Sequence, residues 1–143
     1  MAVTRISGRG PAGPKGDPGP TGTVFASLLS GVVSTSNASS APLVIGSAYL
    51  DPATISASNI AFEAILSVSG GGASTAANIV LFDMTSGSAV CTLSSTSASG
   101  EFVQQSSIAV PASGKQYEVR LYVSDSAGST TKAIASMARL RFY

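Results

Sequence analysis

Hydrophobic and polar residues alternate with a period of two along most of the chain beyond residue 42. Ile60, Phe62, Ala64, Leu66 and Val68 share one side of a segment whose other side carries Ala61, Glu63, Ile65 and Ser67. Tyr117, Val119, Leu121 and Val123 stand in the same relation to Glu118, Arg120 and Tyr122. Successive side chains of a strand point to opposite faces, so this pattern predicts half-buried strands in antiparallel sheets. Strands are predicted over 43–50, 59–69, 78–84, 88–95, 102–110, 116–125 and 132–142. In the last of these Met137, Leu140 and Phe142 alternate imperfectly, while Arg139 and Arg141 share a side. Turn residues punctuate the pattern at Gly70-Gly71-Gly72, Ser86-Gly87, Ser99-Gly100, Ser113-Gly114 and Ala127-Gly128. The triple glycine reads as a hairpin tip. Short strands at such spacing predict an all-β head, an antiparallel β-sandwich of jelly-roll type.

Before residue 42 the pattern changes. Phe25, Leu28, Leu29 and Val32 fit the helical spacing i, i+3, i+4, i+7. Gly31 and the β-branched valines argue instead for a strand. Either could serve as a neck between chains. Ser34 to Ala41 is a Ser- and Asn-rich linker, whose Asn37-Ala38-Ser39 is a glycosylation sequon by letters only.

Closer to the N-terminus the period becomes three. Gly10, Gly13, Gly16, Gly19 and Gly22 are separated by residues that include Pro11, Pro14, Pro18 and Pro20. Three polyproline-II chains wind together only when every third residue lacks a side chain, because that position faces the crowded axis. A flexible linker would show no such period. The repeat therefore predicts a triple-helical stalk and a homotrimer, with Lys15 and Asp17 straddling Gly16 as an interchain pair. About 15 residues at about 3.1 Å each make a rod of roughly 45 Å. So few triplets need a trimerising element beside them. Gly8-Arg9-Gly10-Pro11-Ala12-Gly13 matches the dinucleotide fingerprint by letters, but the prolines forbid the helix that fingerprint must open.

Composition removes several function classes. The chain of 143 residues carries a formal net charge of +1, with only 10% charged residues. That leaves no electrostatic case for nucleic acid or acidic lipid. Histidine is absent, which excludes Ser-His-Asp and Cys-His catalysis, and Cys91 is the only cysteine. Cys91 lies in Ala89-Val90-Cys91-Thr92-Leu93 and reads as a small core residue. Asp51, Glu63, Asp83, Glu101, Glu118 and Asp125 fall on separate elements, so no paired-carboxylate site is predicted. Asp83 and Asp125 read as turn caps rather than calcium ligands. Tryptophan is absent, and Tyr122 and Tyr143 are the candidate sugar-stacking residues. No cofactor is predicted. Met1 to Ser7 lacks the apolar run of a signal peptide and no segment reaches membrane-spanning length, so assembly in a bacterial cytoplasm is the expectation.

A Gly-X-Y stalk after such an N-terminus, followed by a small Ser-, Thr- and Ala-rich β-sandwich, resembles the collagen-stalked virion proteins of tailed bacteriophages. Lys115 to Val123 and Ser136 to Leu140 are similar to the last two strands of small jelly-roll modules in phage and bacterial surface proteins. The resemblance implies four parts: an anchor over 1–9, a stalk over 10–24, a neck and linker over 25–41 and a head over 42–143. It implies a non-enzymatic capsid decoration or fibre, exposed on the particle. The anchor residues Val3, Thr4, Arg5 and Ile6 would bind the capsid or, alternatively, the tail or baseplate. A head binding a receptor or host-surface glycan is the alternative function, and a bacterial C1q-like surface protein is a further one.

Overall fold

The computed structural model describes residues 23–124 and 130–143. The stalk glycines, Lys15, Asp17, the anchor residues and Asp125 lie outside the described residues. The described chain forms nine strands: β1 (Val24–Ser27), β2 (Val33–Thr35), β3 (Leu43–Leu50), β4 (Asn59–Ser69), β5 (Ala76–Asp83), β6 (Ser88–Ser95), β7 (Glu101–Ala109), β8 (Lys115–Ser124) and β9 (Lys132–Phe142). A 3-10 turn, Pro52–Thr54, is capped by the Asp51 carboxylate, which accepts from Ala53 N.

The strands make two antiparallel sheets. One has five strands in the order β1-β9-β4-β7, with β2 also on β9; the other has four, β3-β8-β5-β6. The pairing is nested: the first strands join the last, β3 joins β8, β4 joins β7 and β5 joins β6. Nested pairing that alternates between two sheets is the jelly-roll arrangement. Every predicted strand from residue 43 onward is present, within two residues at each end.

The inner faces supply one core. Ile60, Phe62, Ala64 and Leu66 of β4 and Tyr117, Val119, Leu121 and Val123 of β8 are buried there. Each large side chain removed from water contributes roughly 1.5–3 kcal/mol. On β9 the buried residues are Ala133 and Ala135, then Ala138 and Leu140. The phase changes because the pairing with β4 slips at Ser136, where Ala135 faces Leu66 and Met137 faces Ile65. This bulge is the physical reason for the imperfect alternation of the last strand.

Two expectations are corrected. Residues 25–33 are not helical and do not stand apart from the head. β1 and β2 complete the five-stranded sheet against β9, Leu28 N donates to Ala138 O, and Leu28 enters the core at 8% exposure. Leu29 packs partly against that core, while Phe25 and Val32 remain exposed. The strand wins because β9 offers free ladder groups, and short helices gain little in water. The linker ends inside the fold too: Val123 N donates to Asn37 O. Next, Gly70-Gly71-Gly72 is not a hairpin tip. It carries the chain from β4 to β5, which lie in different sheets. Gly70 has φ +77°, and a Cβ there would lie 2.7 Å from Thr130 O, so only glycine fits.

Candidate interaction face

The outer face of the five-stranded sheet gathers side chains from four strands. β9 projects Met137, Arg139 and Arg141, with Tyr143 continuing the row. In the ladder, Arg139 faces Ser27 and Glu63, Arg141 faces Phe25 and Ala61, and Met137 faces Ile65. On β7, Gln104 faces Glu63 and Phe102 faces Ile65.

Glu63 is the centre of this face. Arg139 Nε donates to its Oε2 at 2.7 Å and Arg141 Nε to its Oε1 at 2.5 Å. The Glu63 side chain is only 3% exposed. Burial alone would raise its pKa, but hydrogen bonds from Arg141 and Arg139, with their charges, outweigh this and hold the carboxyl below its usual range. Aromatic rings close the flanks. The Arg139 guanidinium lies 4.1 Å from the Phe25 ring centre and the Arg141 guanidinium 4.6 Å from that of Tyr143. Tyr143 is fixed in turn by Ser107, whose N–H donates to its hydroxyl at 3.0 Å. Ser107 can do so because β7 bulges there and Ser107 takes a φ of +60°. The hydrogen bonds from Ser107 draw the phenol below its ordinary pKa. Around the buried centre the face is mixed: Phe25 at 48% and Phe102 at 49% exposure stand at its two edges, with exposed Ser27 and Gln104 in the row of Glu63.

A pocket of about 480 Å³ adjoins the lower end of the face, lined by Val24, Phe142, Tyr143 and the segment Thr54 to Ser58. It lies where the N-terminal chain enters the head.

The outer face of the four-stranded sheet is different. Glu118 and Arg120 sit two residues apart on β8 and pair with each other at 2.7 Å, both more than a fifth exposed. Arg120 also stacks 3.6 Å above Phe82. Tyr122 faces Asn78, whose Oδ1 accepts from Ser94. Tyr49, at 64% exposure, is the most open aromatic ring described.

Asp83 caps the β5–β6 turn, as its sequence context indicates. Its Oδ1 accepts from Thr85 N and Ser86 N, and Lys115 Nζ donates to its Oδ2 at 2.7 Å. The Lys115 bond, aided by the turn amides, holds this carboxyl down to about 2. Among the described residues no three acidic, histidine or cysteine side chains gather as a metal site would require. Cys91 is half-buried, and burial pushes its thiol up to about 11.

Of the sequence-predicted residues, Phe25 and Tyr143 come together on the first face. Leu28 lies in the core, Val32 stands outside it, and Tyr122 is on the opposite sheet. Glu63, Arg139, Arg141 and Phe102 had not been singled out as a site. The signal available for them was one acid among the outward residues of the first alternating segment and two arginines in phase on the last.

No protein-family model matches this sequence, and no curated protein does. A solved structure, that of the carbohydrate-binding module CBM36 in complex with calcium and xylotriose, is similar at 13% identity and a TM-score of 0.51. The match covers 84% of this chain and 99% of that one. The likeness is one of fold: a jelly-roll-like β-sandwich.

Proposed function

We propose that this chain is a non-enzymatic display protein, a homotrimer whose collagen-like stalk carries three β-sandwich heads. One observation carries the reading. The Gly-X-Y run ends at Gly22 and β1 begins at Val24, so the stalk would feed straight into a sheet edge. A repeat that needs three chains, joined to the head without a spacer, makes head and stalk one assembly. The resemblance of the sequence to collagen-stalked bacteriophage proteins supports a reading as a capsid decoration or fibre on a virion. Val3, Thr4, Arg5 and Ile6 would be the attachment, strengthened by three copies acting together. Sedimentation equilibrium of the full chain tests the reading: a trimer mass is expected, lost on Gly16→Asp, and a monomer mass for the unaltered chain sinks it. Deleting Met1 to Ser7 should leave a soluble trimer that no longer joins particles.

A second reading has its own support. The CBM36 structure holds xylotriose, and the four-stranded sheet of this chain offers exposed Tyr49 with Tyr122 beside Asn78. A glycan-binding head would use that face. Titration of the full chain with xylotriose, followed by tyrosine fluorescence, tests it, and no change at millimolar sugar removes that ligand.

A further inference from the structure

We propose that Arg139 and Arg141 form a binding site for the carboxylate of an acidic sugar, on the outer face of the five-stranded sheet. The site needs no second chain. It lies on the sheet opposite the one considered above for a neutral glycan, so the two readings stand or fall separately.

The first argument is charge. Two guanidiniums share the one Glu63 carboxylate, and two positive charges against one negative leave +1. The ladder rows that hold them offer no other acid. Arg139 lies in line with Ser27, Glu63 and Gln104, and Arg141 with Phe25 and Ala61. The other ion pairs of the described residues are one to one, Lys115 with Asp83 and Arg120 with Glu118. One spare positive charge balances a carboxylate, whereas a phosphate monoester near neutral pH carries close to two negative charges.

The second argument is the donors left over. Glu63 takes only the Nε–H of each arginine. The Nη groups of both make no hydrogen bond among the described residues, and the two side chains remain 35% and 25% exposed. A guanidinium presents its N–H groups as a planar fork that matches a carboxylate. Arg120 is the contrast. Its Nε and Nη2 are both spent on Glu118 Oε1, and Nη2 also reaches Met84 Sδ.

The third argument is preorganisation. Glu63 is buried with each oxygen engaged by one arginine, so it brings the two guanidiniums within reach of one ligand. Phe25 and Tyr143 hold one guanidinium each by ring contact. Ordering a long side chain on binding costs affinity, and here the ordering is already done in the folded head. The surroundings suit sugar hydroxyls. The exposed Gln104 amide has no hydrogen bond among the described residues, and the Ser27 hydroxyl donates to Leu29 O but can still accept. Phe25, about half exposed, adds apolar surface for ring C–H groups.

The test uses the full chain with glucuronate as the probe, read by NMR of the arginine Nε–H groups. Glucuronate should shift the Arg139 and Arg141 signals saturably, with a Kd near ~1 mM for so small a ligand, and leave Arg120 unmoved. Glucose, acetate and phosphate should each bind at least tenfold more weakly. Far-UV circular dichroism first establishes that each variant folds. Arg139→Gln should then weaken glucuronate at least tenfold, and Arg120→Gln should change nothing. If Arg139→Gln fails to fold, Arg141→Lys serves instead: it keeps the charge but loses the fork, and should bind several-fold more weakly. A flat response of both signals at tens of millimolar glucuronate overturns the proposal, as does unchanged binding in a folded Arg139→Gln chain. Acetate or phosphate binding as tightly as glucuronate also overturns it, because the arginines would then be a general anion patch. So does a shift of either signal by neutral xylotriose.

Discussion

Both sheets carry a glutamate–arginine pair on their outer faces, yet the two pairs are built differently. Glu118 and Arg120 are two residues apart on one strand and remain more than a fifth exposed. Glu63 reaches across from β4 to two arginines of β9 and is 3% exposed. The first pair forms on any extended strand and is screened by solvent, so it holds little together. The second exists only when β4 and β9 are in register, and it is shielded by its own partners and by Phe25 and Tyr143. The same residue types thus make a solvated surface on one sheet and a covered, register-dependent seam on the other.

The inner faces set the scale for breaking that comparison, because there the sheets are equivalent. Phe62→Ala on β4 should destabilise the head by about 3–5 kcal/mol, and Leu121→Ala on β8 by about 2–5 kcal/mol, both read in urea melts. The outer faces should then separate. Glu63→Ala leaves Arg139 and Arg141 facing each other without their shared anion. Because both arginines keep some solvent, we expect about 2 kcal/mol, below the roughly 3–5 kcal/mol of a fully buried broken pair. Glu118→Ala should cost at most about 1 kcal/mol. Equal costs for the two glutamates would erase the distinction drawn between the sheets.

How much of this was legible beforehand follows the same line. Strands from residue 43 onward are readable because one apolar face imposes a period of two, and that period survives any loop. Where it failed, at Met137, the cause was the extra residue Ser136, which shifts the phase. β1 and β2 were not readable because strands of four and three residues carry too few alternations. There the accidental helical spacing of Phe25, Leu28, Leu29 and Val32 was as strong a signal. The Glu63 network needs the register of β4 against β9 and of β4 against β7, both interrupted by bulges. No local pattern holds that information. The shared side of Arg139 and Arg141 was visible, but their common partner 76 residues away was not.

Acid should unpick the two sheets by different groups. Glu63 and Asp83 both have folded-state pKa values below their ordinary ones of 4.5 and 3.8. A lowered carboxyl binds its proton more readily in the unfolded chain. Its stabilisation is complete above the unfolded value and is lost as pH falls through the folded one. For Asp83 that window runs from about 3.8 down to about 2, and for Glu63 it opens at about 4.5. Urea midpoints should be flat from pH 7 to pH 5 and fall steadily below. Glu63→Gln should flatten the upper part of the fall and Asp83→Asn the lower part. A midpoint that rises on acidification would contradict both assignments.

The smallest effect concerns Cys91, on the edge strand β6 of the four-stranded sheet. Its thiol stands at about 11 instead of 9.0 because burial disfavours the thiolate. Only the thiolate attacks a disulfide reagent, and two pH units remove it by about a hundredfold at pH 8. The folded chain should therefore react with an aromatic disulfide about a hundred times more slowly than the urea-unfolded chain. Whatever reaction remains then reports how often β6 opens. Equal rates in the folded and the unfolded chain would show that burial does not protect this thiol.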